Sequence, residues 1–228
     1  MRLVRILSLA SVAALATVCL VAGSASAVTV CKKNEETCKA ENRYPAGTEL
    51  SAELREETQA VFKTALFTVK CEESTFNDVL LEESGKPLLD EITTFTFSKC
   101  EGCKAVTVEN LPWHTELEQD VAKKGNGILM ITKGEGGGRP DFEFAGCPLG
   151  ASCVYGEGKI TLNVHGGDGG EAAKRARVVA AEEVLLRKEG NPLCGATATW
   201  SAEYDIIVAK EPNEEAVVNP PVWVAPSP

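Results

Sequence analysis

Nine cysteines in a chain of 228 residues constrain its fold more than any other feature, and their meaning depends on where the mature chain begins. Met1 to Ala27 has the form of a secretory leader. Arg2 and Arg5 supply a positive n-region, Ile6 to Ala22 is predominantly apolar, and Ala25-Ser26-Ala27 offers small residues for cleavage between Ala27 and Val28. The apolar run, about 17 residues, is at the short edge for spanning a bilayer. Val18 stands before Cys19 where a lipid-attachment site wants a small residue. Cleavage is therefore expected, and it takes Cys19 with it. Cys31, Cys38, Cys71, Cys100, Cys103, Cys147, Cys153 and Cys194 stay. An even count behind a leader points to an oxidising compartment and to four disulfides. The expected location is secreted, either extracellular or in the cell envelope, with no stable membrane span once the leader is gone.

Eight cysteines allow 105 connectivities, which sequence alone does not resolve. Ranked by proximity, Cys31 with Cys38, Cys100 with Cys103 and Cys147 with Cys153 each close a local loop, which leaves Cys71 with Cys194. That last bridge would tie an early strand to a late one, worth about 4 to 5 kcal/mol by chain entropy.

Alternation with period two recurs along the chain, the mark of strands with one buried face. It is clearest where Ala198, Trp200, Ala202, Tyr204, Ile206 and Val208 alternate with Thr199, Ser201, Glu203 and Asp205. Further strands are expected at 50–54, 65–71, 91–98, 105–108, 128–132, 141–144 and 159–164, separated by Gly- and Pro-rich turns. The fold class that follows is mainly β: a single disulfide-stapled sandwich or barrel-like domain over 28–210, with room for one short helix. Residues 53–66 and 171–188 are rich in Ala, Glu, Lys and Arg, and propensity alone makes both helical. The second is balanced between helix and strand. Residues 211–228 hold five of the eleven prolines and read as an edge segment or loose tail, with Val222 to Val224 able to dock as a short strand.

Without the leader, 21 Lys and Arg face 33 Asp and Glu, a net charge of −12. Such a surface repels phosphate backbones, which excludes nucleic acid as a partner class, and it keeps a secreted protein soluble.

Recognisable catalytic motifs are missing. Cys100-Glu101-Gly102-Cys103 precedes an alternating stretch rather than a helix, which argues against a redox centre, and it lacks a second ligand pair at zinc spacing. No cofactor and no metal ligand set is expected, and no catalytic residue is assigned. The glycine clusters at 134–138 and 166–170 match no phosphate-binding loop and read as hairpin connections. Paired carboxylates for glycoside hydrolysis are conceivable among 33 acids, but nothing in the sequence singles out two. Four residues are the interaction candidates. Trp113, in Leu111-Pro112-Trp113, reads either as a stacking platform or as a plug over the core; His114 follows it; and His165 with Asp168 lies in a glycine-rich loop open to a ligand.

The order of features resembles that of a group of uncharacterised cysteine-rich secreted proteins of actinobacterial genomes. The likeness is carried by the leader, C-x6-C near the mature start, Tyr44 with Ala46-Gly47-Thr48, Val69-Lys70-Cys71-Glu72-Glu73-Ser74, Cys100-x2-Cys103, Asn110-Leu111-Pro112-Trp113, and Cys194 ahead of Ala198-x-Trp200-Ser201-Ala202-x-Tyr204. It implies a fold that is β throughout and leans 171–188 towards strand; it implies no activity. The function expected is therefore non-catalytic, binding or structural, with a cell-envelope glycan or a protein as the partner class. The alternative is a secreted hydrolase, directed at glycans or esters, whose site lies near His165 and Asp168.

Overall fold

The computed structural model describes residues 27–228. The expected leader therefore lies outside the described residues, apart from Ala27, which with Val28 opens the first strand. Fifteen strands follow in chain order: β1 (Ala27–Cys31), β2 (Glu49–Leu54), β3 (Ala60–Thr64), β4 (Thr68–Leu80), β5 (Leu88–Glu101), β6 (Ala105–Glu109), β7 (Trp113–Gln119), β8 (Gly127–Lys133), β9 (Asp141–Ala145), β10 (Cys153–Gly156), β11 (Ile160–His165), β12 (Arg177–Gly190), β13 (Thr197–Lys210), β14 (Val217–Val218) and β15 (Trp223–Ser227). Among the described residues the helical segments are five 3-10 turns of three residues each. The mainly β expectation holds.

Four long strands, β4, β5, β12 and β13, organise the rest. In one half of the molecule β13 pairs with β2, and antiparallel pairing continues through β4, β5, β7, β8, β11 and β12 back to β13, a closed circuit of eight strands. In the other half β4, β12 and β13 take different neighbours. There β3 bridges β13 and β4, while β6, β9 and β10 lead to β12. Bulges in β5 at Thr93, in β12 between Ala180 and Glu183 and in β13 between Ile206 and Val208 mark where long strands change partners. An extra residue at such a point bends a strand and re-aims its side chains.

The β12 bulge settles the balance at 171–188. Val178 and Ala180 face inward, Glu182 takes a left-handed conformation (φ 56°), and the inward phase resumes at Leu185. That phase slip breaks strict alternation and gives the sequence its helix-like spacing. The helical propensity of 53–66 yields likewise to pairing, because β2 and β3 hydrogen-bond the same edge of β13 on either side of a short turn. Gly134 to Pro140 is not a hairpin: it carries the chain from β8, in the first circuit, to β9, in the second half.

All eight cysteines are bridged, as expected, but three of the four pairings follow topology rather than proximity. Cys31 joins Cys38; Cys71 joins Cys100, Cys103 joins Cys147 and Cys153 joins Cys194. Cys71 and Cys100 stand directly opposite in the β4–β5 ladder, so no partner is left for Cys194 there. The Gly102 turn (φ 91°) sends Cys103 away from Cys100 and onto the β6–β9 side, two residues beyond the Ala105–Ala145 pair, opposite Cys147. Cys153 pairs with Gly190 in register, and the turn after Gly190 brings Cys194 back against it.

The C-terminal prolines do not make a loose tail. β15 pairs along its length with β1, and Val222 exchanges backbone hydrogen bonds with Gly167 at 2.8 and 2.9 Å. The Tyr44 hydroxyl donates to the Pro221 carbonyl at 2.9 Å. Together β1 and this strap close the end of the first circuit.

Candidate functional site: a carboxyl pair in an interior cavity

Inward positions on β4 run Ser74, Phe76, Asp78, Leu80, and on β5 they run Leu88, Asp90, Ile92. Two aspartates thus occupy places that alternation reserves for apolar side chains, and they are only 6 % and 2 % exposed. Leu80 faces Asp90 across the ladder and Asp78 faces Ile92, so the aspartates are diagonal neighbours whose carboxyls come within hydrogen-bonding reach. Thr115 on β7, opposite Asp90 in register, donates its hydroxyl to Asp90 Oδ1. Asp78 Oδ1 has no partner.

The unpartnered oxygen belongs to a residue lining a cavity of about 40 Å³ on the axis of the eight-strand circuit. Each strand of that circuit contributes at least one inward side chain, and Val30, Val222 and Val224 of β1 and the strap close it from the end. Apart from the two carboxyls the lining is wholly apolar. A space of that size holds about two or three waters, or a body of a few heavy atoms.

Burial pushes both carboxyls above the usual carboxylate range, and at Asp78 the neighbouring Asp90 and Glu91 add like charge that acts in the same direction. For Asp90 the Thr115 hydroxyl works the other way by favouring the charged form. Two ionised groups this close in apolar surroundings would repel and be desolvated at once, so the pair keeps a proton where an exposed carboxyl would have lost it. The arrangement can hold a proton between two oxygens and still present one acceptor to the cavity.

The residues singled out from sequence lie elsewhere. Trp113 is fully buried: its Nε1 donates to the Glu109 carbonyl at 2.8 Å and its ring meets Phe142 edge-on at 5.5 Å, so it is core and not a platform. His114 points outward on β7, with Nδ1 3.3 Å from Glu91 Oε1 in a partly exposed pair. His165 is half-buried; its Nδ1 lies 3.4 Å from Asn126 Nδ2, whose own Oδ1 accepts from the Gly166 amide. Burial, then Arg177 opposite it and Lys123, hold that imidazole below its ordinary value. Asp168 is solvent-exposed. The glycines around it serve packing: a side chain at Gly166 would strike the Trp223 ring, and Gly169 (φ 77°) lies against the Asn219 carbonyl. The loop is a seat for the strap.

Sequence inspection missed Asp78 and Asp90, although a signal was present. Each shares its parity with flanking apolar residues, Phe76 and Leu80 or Leu88 and Ile92, and an acid in such a phase is a buried acid. Comparison with family models, with curated proteins and with solved structures returns no match.

Proposed function

We propose that this is a secreted, non-catalytic protein that binds a small molecule inside a disulfide-stapled β-barrel, formed by the eight-strand circuit and plugged by β1 and the C-terminal strap. The observation that carries this reading is the cavity on the circuit axis, apolar except for one carboxyl pair, since small-molecule sites combine an apolar enclosure with a few convergent polar groups. Four disulfides support an oxidising location. A hydrolase of glycans or peptides is disfavoured because about 40 Å³ does not admit even one sugar ring, and because His165 faces Asn126 rather than a carboxylate.

The test uses xenon as a neutral probe of the enclosure. Methyl resonances of Leu117, Leu129 and Val164 should shift under xenon pressure in the mature protein, and Val164→Phe should abolish the shifts. Unmoved methyls would overturn the reading.

A further inference from the structure

We infer that the cavity is a site for a small primary ammonium ion with a short aliphatic body, held by Asp78 and Asp90. The inference rests on the small-molecule binding reading and assigns the chemistry of the occupant. Once the shared proton has left, the polar wall consists of acceptors alone: Asp78, which lines the cavity, has a buried and unpartnered Oδ1, while Asp90 is already engaged by Thr115. An ammonium group offers three donors and no acceptor, so it matches that wall. A carboxylate or phosphate would meet like charge there. The rest of the lining, aliphatic side chains with Phe76, suits a chain of two to four carbons at most, as a volume of about 40 Å³ requires.

The charge balance favours a cation over a neutral alcohol. The ligand arrives as R–NH3⁺, and the proton shared by the carboxyls leaves to solvent, so the net charge of the site is unchanged. Hydrogen bonds from an ammonium to carboxylates are charge-assisted and roughly twice as strong as neutral ones. Glu91, which adds like charge to Asp78, turns outward to His114. The side chains that face the pair from β1, β2, β7, β8, β11, β12, β13 and the strap are apolar, apart from the Thr115 hydroxyl. No competing cation is therefore built in. Entry requires the strap to lift, because Val222 and Val224 cover the cavity.

The proposal is tested by titration calorimetry of the full mature chain with n-propylamine and with n-propanol, in two buffers of different ionisation enthalpy. A ligand of four heavy atoms binds at best in the range from tens of micromolar to millimolar. The amine should bind with release of about one proton, and its affinity should rise several-fold up to tenfold per pH unit while the pair is protonated. The alcohol should bind at least tenfold more weakly and without pH dependence. Asp78→Asn should weaken the amine tenfold or more, with the Asp90→Asn variant as a second check should the first fail to fold. Equal binding of amine and alcohol, or binding indifferent to both substitutions, would overturn the ammonium assignment. If the amine fails while xenon still shifts the cavity methyls, the ammonium class falls and the enclosure stands. If both fail, both readings fall.

Discussion

The two halves of the interior are filled by different means. Around β3, β6, β9 and β10 the core is aromatic: Phe62 lies against Phe97, Phe144, Phe142 and Trp200 at centroid distances of 5.0 to 6.0 Å. Phe144 in turn meets Tyr155 at 5.7 Å. Three of the four disulfides staple this half. The half enclosed by β2, β7, β8 and β11 is mainly aliphatic, with Leu50, Leu117, Leu129, Val164 and Val178 around the cavity, Phe76 as its one ring and two acids among them. Rings interlock and leave little space, whereas short branched side chains around a closed axis do not meet in the middle. Stability is thus concentrated at one end, and the other end can carry an imperfect, polar and ligand-sized interior.

The largest expected effect tests the aromatic end. Trp200→Ala should cost about 3 to 5 kcal/mol in urea unfolding, because a fully buried ring would leave a large void. A cost under about 1 kcal/mol would erase the contrast between the halves. Removing the Cys103–Cys147 bridge by paired Ser substitutions should cost about 2 to 4 kcal/mol, since it closes a long loop. Removing Cys31–Cys38, whose sequence separation is only 7, should cost less by the same measurement.

A pH effect of intermediate size belongs to the cavity end. Because the carboxyls of Asp78 and Asp90 are raised in the folded state, their contribution to stability is full below the ordinary carboxylate value and is lost as pH rises through the raised values. Asp78→Asn removes one member, so it should gain stability relative to the wild type as pH rises from the ordinary carboxylate range towards about 7 and beyond. Denaturant midpoints across that range check the sign. The smallest effect is expected from Val164→Ile, which adds one methylene towards empty space and should change stability by less than about 1 kcal/mol. Enlarging a filled aromatic-end position, as in Ala198→Val, should destabilise more.

Much of the β architecture was legible because the alternation survives wherever a strand is straight, as from Ala198 to Ile206. It failed at β12, where the bulge shifts phase, and at β7, whose inward Trp113, Thr115 and Leu117 are diluted by acids. Disulfide pairing was legible only for Cys31 and Cys38, because the other three bridges depend on which strands become neighbours, and that is decided far along the chain. The tail became a plug for a reason local composition does not carry: its partner, β1, is at the opposite end of the chain. The acid pair was readable in phase with its apolar neighbours, but its two members meet only through the β4–β5 register.

Carbon-detected NMR titration of the Asp side-chain carboxyls reads the buried pair itself. The Asp78 and Asp90 signals should titrate together and above the ordinary carboxylate range, with exposed aspartates such as Asp168 as the internal reference. If both carboxyls lose their protons with the exposed ones, near pH 4 or below, the buried proton-sharing pair and the site built on it are contradicted.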